Sequence, residues 1–225
     1  HGYGVQKVAE EAVRWYRSAA EQGHVGAQSF LGRIYSQGEG VRKDDSEAVR
    51  WYRLAADQGE AAAQSQLGFM YTIGRGVSQD YVEAAQWLRR AADQGDAGAQ
   101  SNLGVLYAKG QGVSQNYAEA VRFYRLAADQ GIAVAQSNLG AMYYNGQGVP
   151  ENFVEAYKWW SLAAAQGYND SAKNRDIVRS VMTPAQIAEG QRLAAAWKPT
   201  AGAATTTPES GTNPGKQTTA SEVES

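Results

Sequence analysis

Apolar positions along this chain follow a helical spacing that restarts at a fixed interval. Ala27, Leu31 and Tyr35 lie four residues apart and share one helix face. The same triplet returns as Ala63/Leu67/Tyr71, Ala99/Leu103/Tyr107 and Ala135/Leu139/Tyr143. A second stripe follows each one: Ala48, Trp51, Tyr52 and Ala55, then Ala84/Trp87/Ala91, Ala120/Phe123/Ala127 and Ala156/Trp159/Ala163. The interval is 36 residues, which divides the chain into blocks 27–62, 63–98, 99–134 and 135–170. Two short amphipathic helices cannot bury their stripes alone. The pattern therefore predicts an all-α solenoid of stacked helix-turn-helix repeats.

Glycine and polar residues punctuate each block at the same places. Gly32, Gly68, Gly104 and Gly140 stand inside the first helix, where glycine costs about 1 kcal/mol against alanine. Their recurrence predicts close approach of a neighbouring helix. A G-x-G-V turn follows, with Gly38/Gly40, Gly74/Gly76, Gly110/Gly112 and Gly146/Gly148. Asp44, Asp80, Asn116 and Asn152 then stand three residues before Glu47, Glu83, Glu119 and Glu155, the spacing of a capping box. Gly59, Gly95, Gly131 and Gly167 are placed to end the second helix in a left-handed conformation.

The ends of the chain depart from this register. Residues 1–26 read as a partial repeat: Gly2, Gly4 and Val5 match the turn, and Ala12, Trp15, Ala19 and Ala20 match the second helix. Val8 stands where the cap belongs. Residues 171–199 read as a capping helix pair, one helix over 171–182 and another opened by Thr183-Pro184-Ala185-Gln186. Residues 200–225 hold seven Thr, three Ser, three Gly and two Pro with no aromatic, the composition of a disordered tail.

Composition narrows the chemistry. Of 225 residues none is Cys and two are His, His1 and His24. Disulfides, Cys-type zinc sites and cysteine nucleophiles are excluded, and no cofactor or metal is expected. No residue set has the spacing of a catalytic triad or paired carboxylates, so no catalytic residue is expected. The G-x-G turns lack the third glycine and the preceding strand of a phosphate loop. No apolar run is long enough to span a bilayer. Net charge is −2, and the last 26 residues hold three Glu against one Lys. Arginines flank the aromatics of the second helices at 14/17, 50/53, 89/90 and 122/125, an arrangement that invites an RNA reading. Glu47 and Glu119 precede Arg50 and Arg122 by three, and Asp57, Asp93 and Asp129 follow Arg53, Arg89 and Arg125 by four. Local pairing of this kind neutralises the stripe, and the balance argues against nucleic acid.

The motif A-x-x-x-L-G-x-x-Y-x-x-G-x-G-V followed by D/N-x-x-E-A-x-x-W-x-x-x-A-A-x-x-G closely resembles the Sel1-like repeat, a relative of the tetratricopeptide repeat with a longer glycine-rich turn. The resemblance covers about residues 1–199. It implies a right-handed superhelix acting as a non-enzymatic scaffold or adaptor for a protein or peptide ligand, and it leans towards export, although the chain itself fixes no compartment. By analogy with tetratricopeptide repeats, the ligand-binding row is the third, seventh and tenth position of each block. That row is Ser29/Arg33/Ser36, Ser65/Phe69/Thr72, Ser101/Val105/Ala108 and Ser137/Ala141/Tyr144. Two alternatives accompany this reading. A cysteine-rich branch of the family is linked to β-lactam binding and weak β-lactamase activity, although this chain has no Cys. The other is an RNA-associated helical repeat.

Overall fold

A computed structural model describes the backbone of residues 2–200 and the side chains of 11–200. Among these residues there are eleven helices and no strand. α1 (Gly2–Glu21) leads. Four hairpins follow: α2 (Val25–Gln37) with α3 (Asp45–Asp57), α4 (Ala61–Ile73) with α5 (Tyr81–Asp93), α6 (Ala97–Lys109) with α7 (Tyr117–Asp129), and α8 (Ala133–Asn145) with α9 (Phe153–Ala165). α10 (Asn169–Val181) and α11 (Pro184–Ala196) both pack on α9, more than on each other. Each helix of the hairpin series packs on the one before it, which makes the molecule an α-solenoid.

The core is the pair of stripes read from the sequence. Leu31, Leu67, Leu103 and Leu139 are 0% exposed, and Trp51, Phe123 and Trp159 are buried beside them. The helix glycines let the two helices of a hairpin meet. A Cβ on Gly32 would lie 2.6 Å from the Tyr52 ring, and one on Gly140 would lie 2.8 Å from Trp160. In the turns, the first glycine ends the helix at positive φ, as at Gly74 with φ 67°. The second has a different duty. A Cβ on Gly76, Gly112 or Gly148 would collide with the carbonyl of Asp45, Tyr81 or Tyr117, at the opening of the preceding repeat's second helix. This glycine is the point where backbone of one repeat rests on backbone of the one before.

Polar ladders tie the repeats together. Gln28, Gln64, Gln100 and Gln136 are buried. Each donates back to the end of the preceding second helix, at Ala20, Ala56, Ala92 and Ala128. Each also accepts from Gln58, Gln94, Gln130 and Gln166 of its own repeat. A second ladder runs from Arg17, Arg53, Arg89 and Arg125 to the hydroxyls of Tyr35, Tyr71, Tyr107 and Tyr143, one repeat onward.

Three local expectations differ from this structure. The turn expected at Gly2, Gly4 and Val5 is absent, and α1 is helical from Gly2. The equivalent helix α3 is capped by Asp44, which accepts from the amides of Ser46 and Glu47, and the sequence has Val8 at the matching position. The capping boxes of the second helices form by half. Glu47, Glu119 and Glu155 turn to Arg50, Arg122 and Lys158 at 3.4, 2.9 and 3.3 Å, and the reciprocal box is completed at Thr183 and Gln186. Among the described residues, Arg53, Arg89 and Arg125 form no salt bridge with the aspartates four residues on, and their guanidinium groups bond the tyrosine ladder.

The expected tail over 200–225 lies, beyond Thr200, outside the described residues. Thr200 itself is held, its amide donating to the Asp129 carbonyl at 2.8 Å.

Candidate binding face

First helices approach one another directly along the series, α4 touching both α2 and α6, while the second helices of the four hairpins, α3, α5, α7 and α9, come less close to one another. The first helices therefore line the inside of the curve. Burial on α4 defines the open side: Ala62, Gln66, Phe69 and Ile73 are exposed, whereas Ala63, Gln64, Ser65, Leu67, Met70 and Tyr71 are buried. The open row is thus the fourth, seventh and eleventh position of each block, not the third, seventh and tenth.

This shift separates the twelve expected residues into three groups. The serines face the neighbouring first helix. Ser29 donates to Glu60 at 3.0 Å and Ser65 to Asp96 at 2.8 Å, the residues that cap α4 and α6. Ser101 and Ser137 are each 4% exposed, and Ser137 accepts from Ser171 at 2.8 Å. The expectation that these serines face a ligand is corrected here. Ser29, Ser65 and Ser137 bond to the following first helix or its cap, because a row centred one residue earlier on a helix is rotated by about 100° towards the neighbour. The tenth position turns the other way, towards its own helix or hairpin. Ser36 donates to the Arg33 carbonyl at 2.8 Å and meets Tyr52, and Thr72 donates to the Gly68 carbonyl at 2.9 Å. Ala108 is half-buried, and Tyr144 packs its ring on Phe153 and Trp160 at 5.6 and 5.5 Å between centroids. Only the middle position stays on the open row: Arg33, Phe69, Val105 and Ala141. Arg33 is engaged by Glu39 at 2.8 Å and lies over the Phe30 ring.

Register carries the open row onto α10, where Asn174, Ile177 and Val181 continue it. Ile177 and Val181 are 51% and 60% exposed, and Phe69 and Ile73 are 37% and 39%. The fourth position reads Phe30, Gln66, Asn102, Asn138 and Asn174. For three of these amides, Gln66, Asn102 and Asn138, the signal stood in the sequence, one residue after the Ser of an A-Q-S run.

Electrostatics on the face are mild. Asp170 pairs with Lys173 at 3.6 Å, and Lys109 is the charged side chain of these rows without an ion pair among the described residues. The groups whose proton affinity departs from the ordinary lie elsewhere. Burial pushes the phenols of Tyr52, Tyr124 and Tyr168 up, and burial is also the main cause raising the Asp129 carboxyl. Among the described residues no three His, Cys, Asp or Glu side chains gather as a metal site would require, and no helix is long and apolar enough to cross a membrane. A shallow concavity of about 560 Å³ lies under the first turn, bordered by Tyr35, Val41 and Asp45. Asp45 there is bound by Arg75 of the next repeat at 2.7 Å.

A model of the Sel1 repeat matches residues 1–24, 25–60, 61–96, 97–132 and 133–168. A search of curated proteins finds no match. Among solved structures, a protective antigen present in uropathogenic Escherichia coli strains, displaying an SLR fold, is 36% identical with a TM-score of 0.77, covering 81% of this chain and 39% of that one. A Sel1 repeat protein from Oxalobacter formigenes is 40% identical with a TM-score of 0.65, covering 70% of this chain and 65% of that one. The chain thus spans under two thirds of the length of either neighbour.

Proposed function

The chain belongs to the Sel1 repeat family, and from that premise we propose that it is a non-enzymatic adaptor that holds a protein or peptide ligand against the inner face of its solenoid. The family's repeats form a scaffold fold. What supports the adaptor reading is the contrast between frame and face. The frame is repeated almost identically through the glutamine and arginine–tyrosine ladders. The seventh position on the open row changes from Arg33 to Phe69, Val105, Ala141 and Ile177. A stiff frame carrying varied, partly apolar side chains lowers the ordering cost of binding and supplies anchors for it.

The test substitutes exposed residues of the inner row. Phe69→Asp with Ile73→Asp leaves the core untouched, whereas Tyr144→Asp would disturb the packing on Trp160. Affinity capture by the wild type and by this double variant, with helicity of both checked by circular dichroism, is expected to lose specific partners in the variant. Equal recovery by a folded variant removes the inner face from the account.

A further inference from the structure

The amides of the protein fall into two populations. Those of the interior are bonded, Gln28, Gln64, Gln100 and Gln136 each donating to a backbone carbonyl. Gln66, Asn102, Asn138 and Asn174 make no side-chain hydrogen bond to any described residue, and all four lie on the open row at one position of successive repeats. A primary amide presents both donors and an acceptor. Four of them in file match an element whose own donors and acceptors are unmet at regular intervals, and an extended polypeptide backbone is such an element.

Spacing fits that element. Packed helices lie about 8–10 Å apart, and a polyproline-II chain covers roughly 9 Å in one three-residue turn. Each amide would then meet every third residue of a chain laid across α4, α6, α8 and α10. In that conformation side chains three apart point the same way. Beside the amide lane runs a second lane, Phe69, Val105, Ala141 and Ile177, which is apolar throughout. Charge selects further. Arg33 and Asp170 are already paired by Glu39 and Lys173, which leaves Lys109, near the middle of the run, as the charge a ligand would have to meet.

We propose that the inner face recognises an extended, polyproline-II-like polypeptide segment with an apolar side chain at every third residue and a carboxylate beside Lys109, its backbone hydrogen-bonded by Gln66, Asn102, Asn138 and Asn174. This deepens the adaptor reading and rests on it. Backbone recognition by amides is indifferent to most side chains, so selectivity comes from the apolar lane and the single cation.

The probe is a phage-displayed library of random twelve-residue peptides, selected on the full chain. Recovered peptides are synthesised with a fluorophore and titrated by anisotropy. The expected consensus has apolar residues three apart and one acidic residue. Each lost amide contact is expected to cost about three- to ten-fold in affinity, so Asn102→Ala with Asn138→Ala weakens binding roughly ten- to hundred-fold. Replacing a contacted peptide bond by an ester weakens binding to the wild type more than to this double variant, the coupling that a direct contact demands. Lys109→Ala weakens the acid-bearing peptides selectively. If Phe69→Asp abolishes binding while the amide double variant binds as the wild type does, the backbone lane is overturned and the adaptor reading stands. If no recovered peptide responds to either set of changes, both are overturned. All substituted side chains lie on the open row, and retained helicity confirms that binding rather than folding is read.

Discussion

Gln100 and Gln66 illustrate how position on a helix decides what one amide does. Gln100 is 4% exposed and joins the Ala92 carbonyl to the Gln130 side chain at 3.2 and 2.8 Å. Replacing it by leucine keeps approximate volume but removes both of these hydrogen bonds, while the Ala92 carbonyl still accepts from the Gly95 amide and Gln130 still donates to the Gly95 carbonyl. Losing two intramolecular hydrogen bonds costs about 1–3 kcal/mol, and we expect Gln100→Leu to lower stability by that amount in urea denaturation. Gln66→Leu, on the open row, is expected to stay within about 0.5 kcal/mol of the wild type. Both are read from the same experiment, so the difference between two chemically identical changes is the measurement. Equal effects would mean that the Gln100 ladder contributes nothing net.

Between elements, the second turn glycine fixes how one hairpin sits on the one before. Gly112 has φ 69°, and a Cβ there would strike the Tyr81 carbonyl at the opening of α5. Gly95 also has positive φ, 91°, but nothing lies within 4 Å of where its Cβ would be. Gly95→Ala therefore carries only the conformational cost of a left-handed alanine, about 1–2 kcal/mol. Gly112→Ala carries that cost plus displacement of backbone by backbone, and we expect it to destabilise clearly more. Because repeats interact with nearest neighbours alone, the change should also uncouple α1–α5 from α6–α11. The expected sign is a broader urea transition with a lower apparent slope for Gly112→Ala and an unchanged slope for Gly95→Ala.

At the level of the whole molecule, the described chain ends by turning back. α11 packs on α9, Trp197 reaches within 3.9 Å of the Cβ position of Gly131, and Thr200 binds the Asp129 carbonyl. This clasp spans α7 to α11 and partly buries Asp129. Burial raises the Asp129 carboxyl above its ordinary value, with Arg125, Lys158 and Trp197 pulling against it and Glu155 adding to it. The folded state therefore holds the Asp129 proton more tightly than the unfolded chain does, and stability declines as pH rises through the carboxylate range. Asp129→Asn removes that decline. Thermal melts at pH 7 are expected to show a higher Tm for Asp129→Asn than for the wild type, with the gap closing towards pH 3. A constant gap across that range would mean that the clasp does not shift the titration.

Fold class, the 36-residue period, the paired stripes and the glycine breaks were legible because each depends on neighbours within one hairpin, and spacing along a helix fixes which side chains share a face. The middle residues of the expected row, Arg33, Phe69, Val105 and Ala141, lie on the open side of the first helices. Which way that face points is set by how tightly the first helices pack side by side, a relation between residues 30 and more apart. This packing buries Ser65 and Ser137, leaves Asn102 and Asn138 on the open row, and brings the tyrosines of the next repeat to Arg53, Arg89 and Arg125. A rotation of one residue on a helix is invisible to a hydrophobic period that several adjacent rows satisfy, and contact between repeats resolves it.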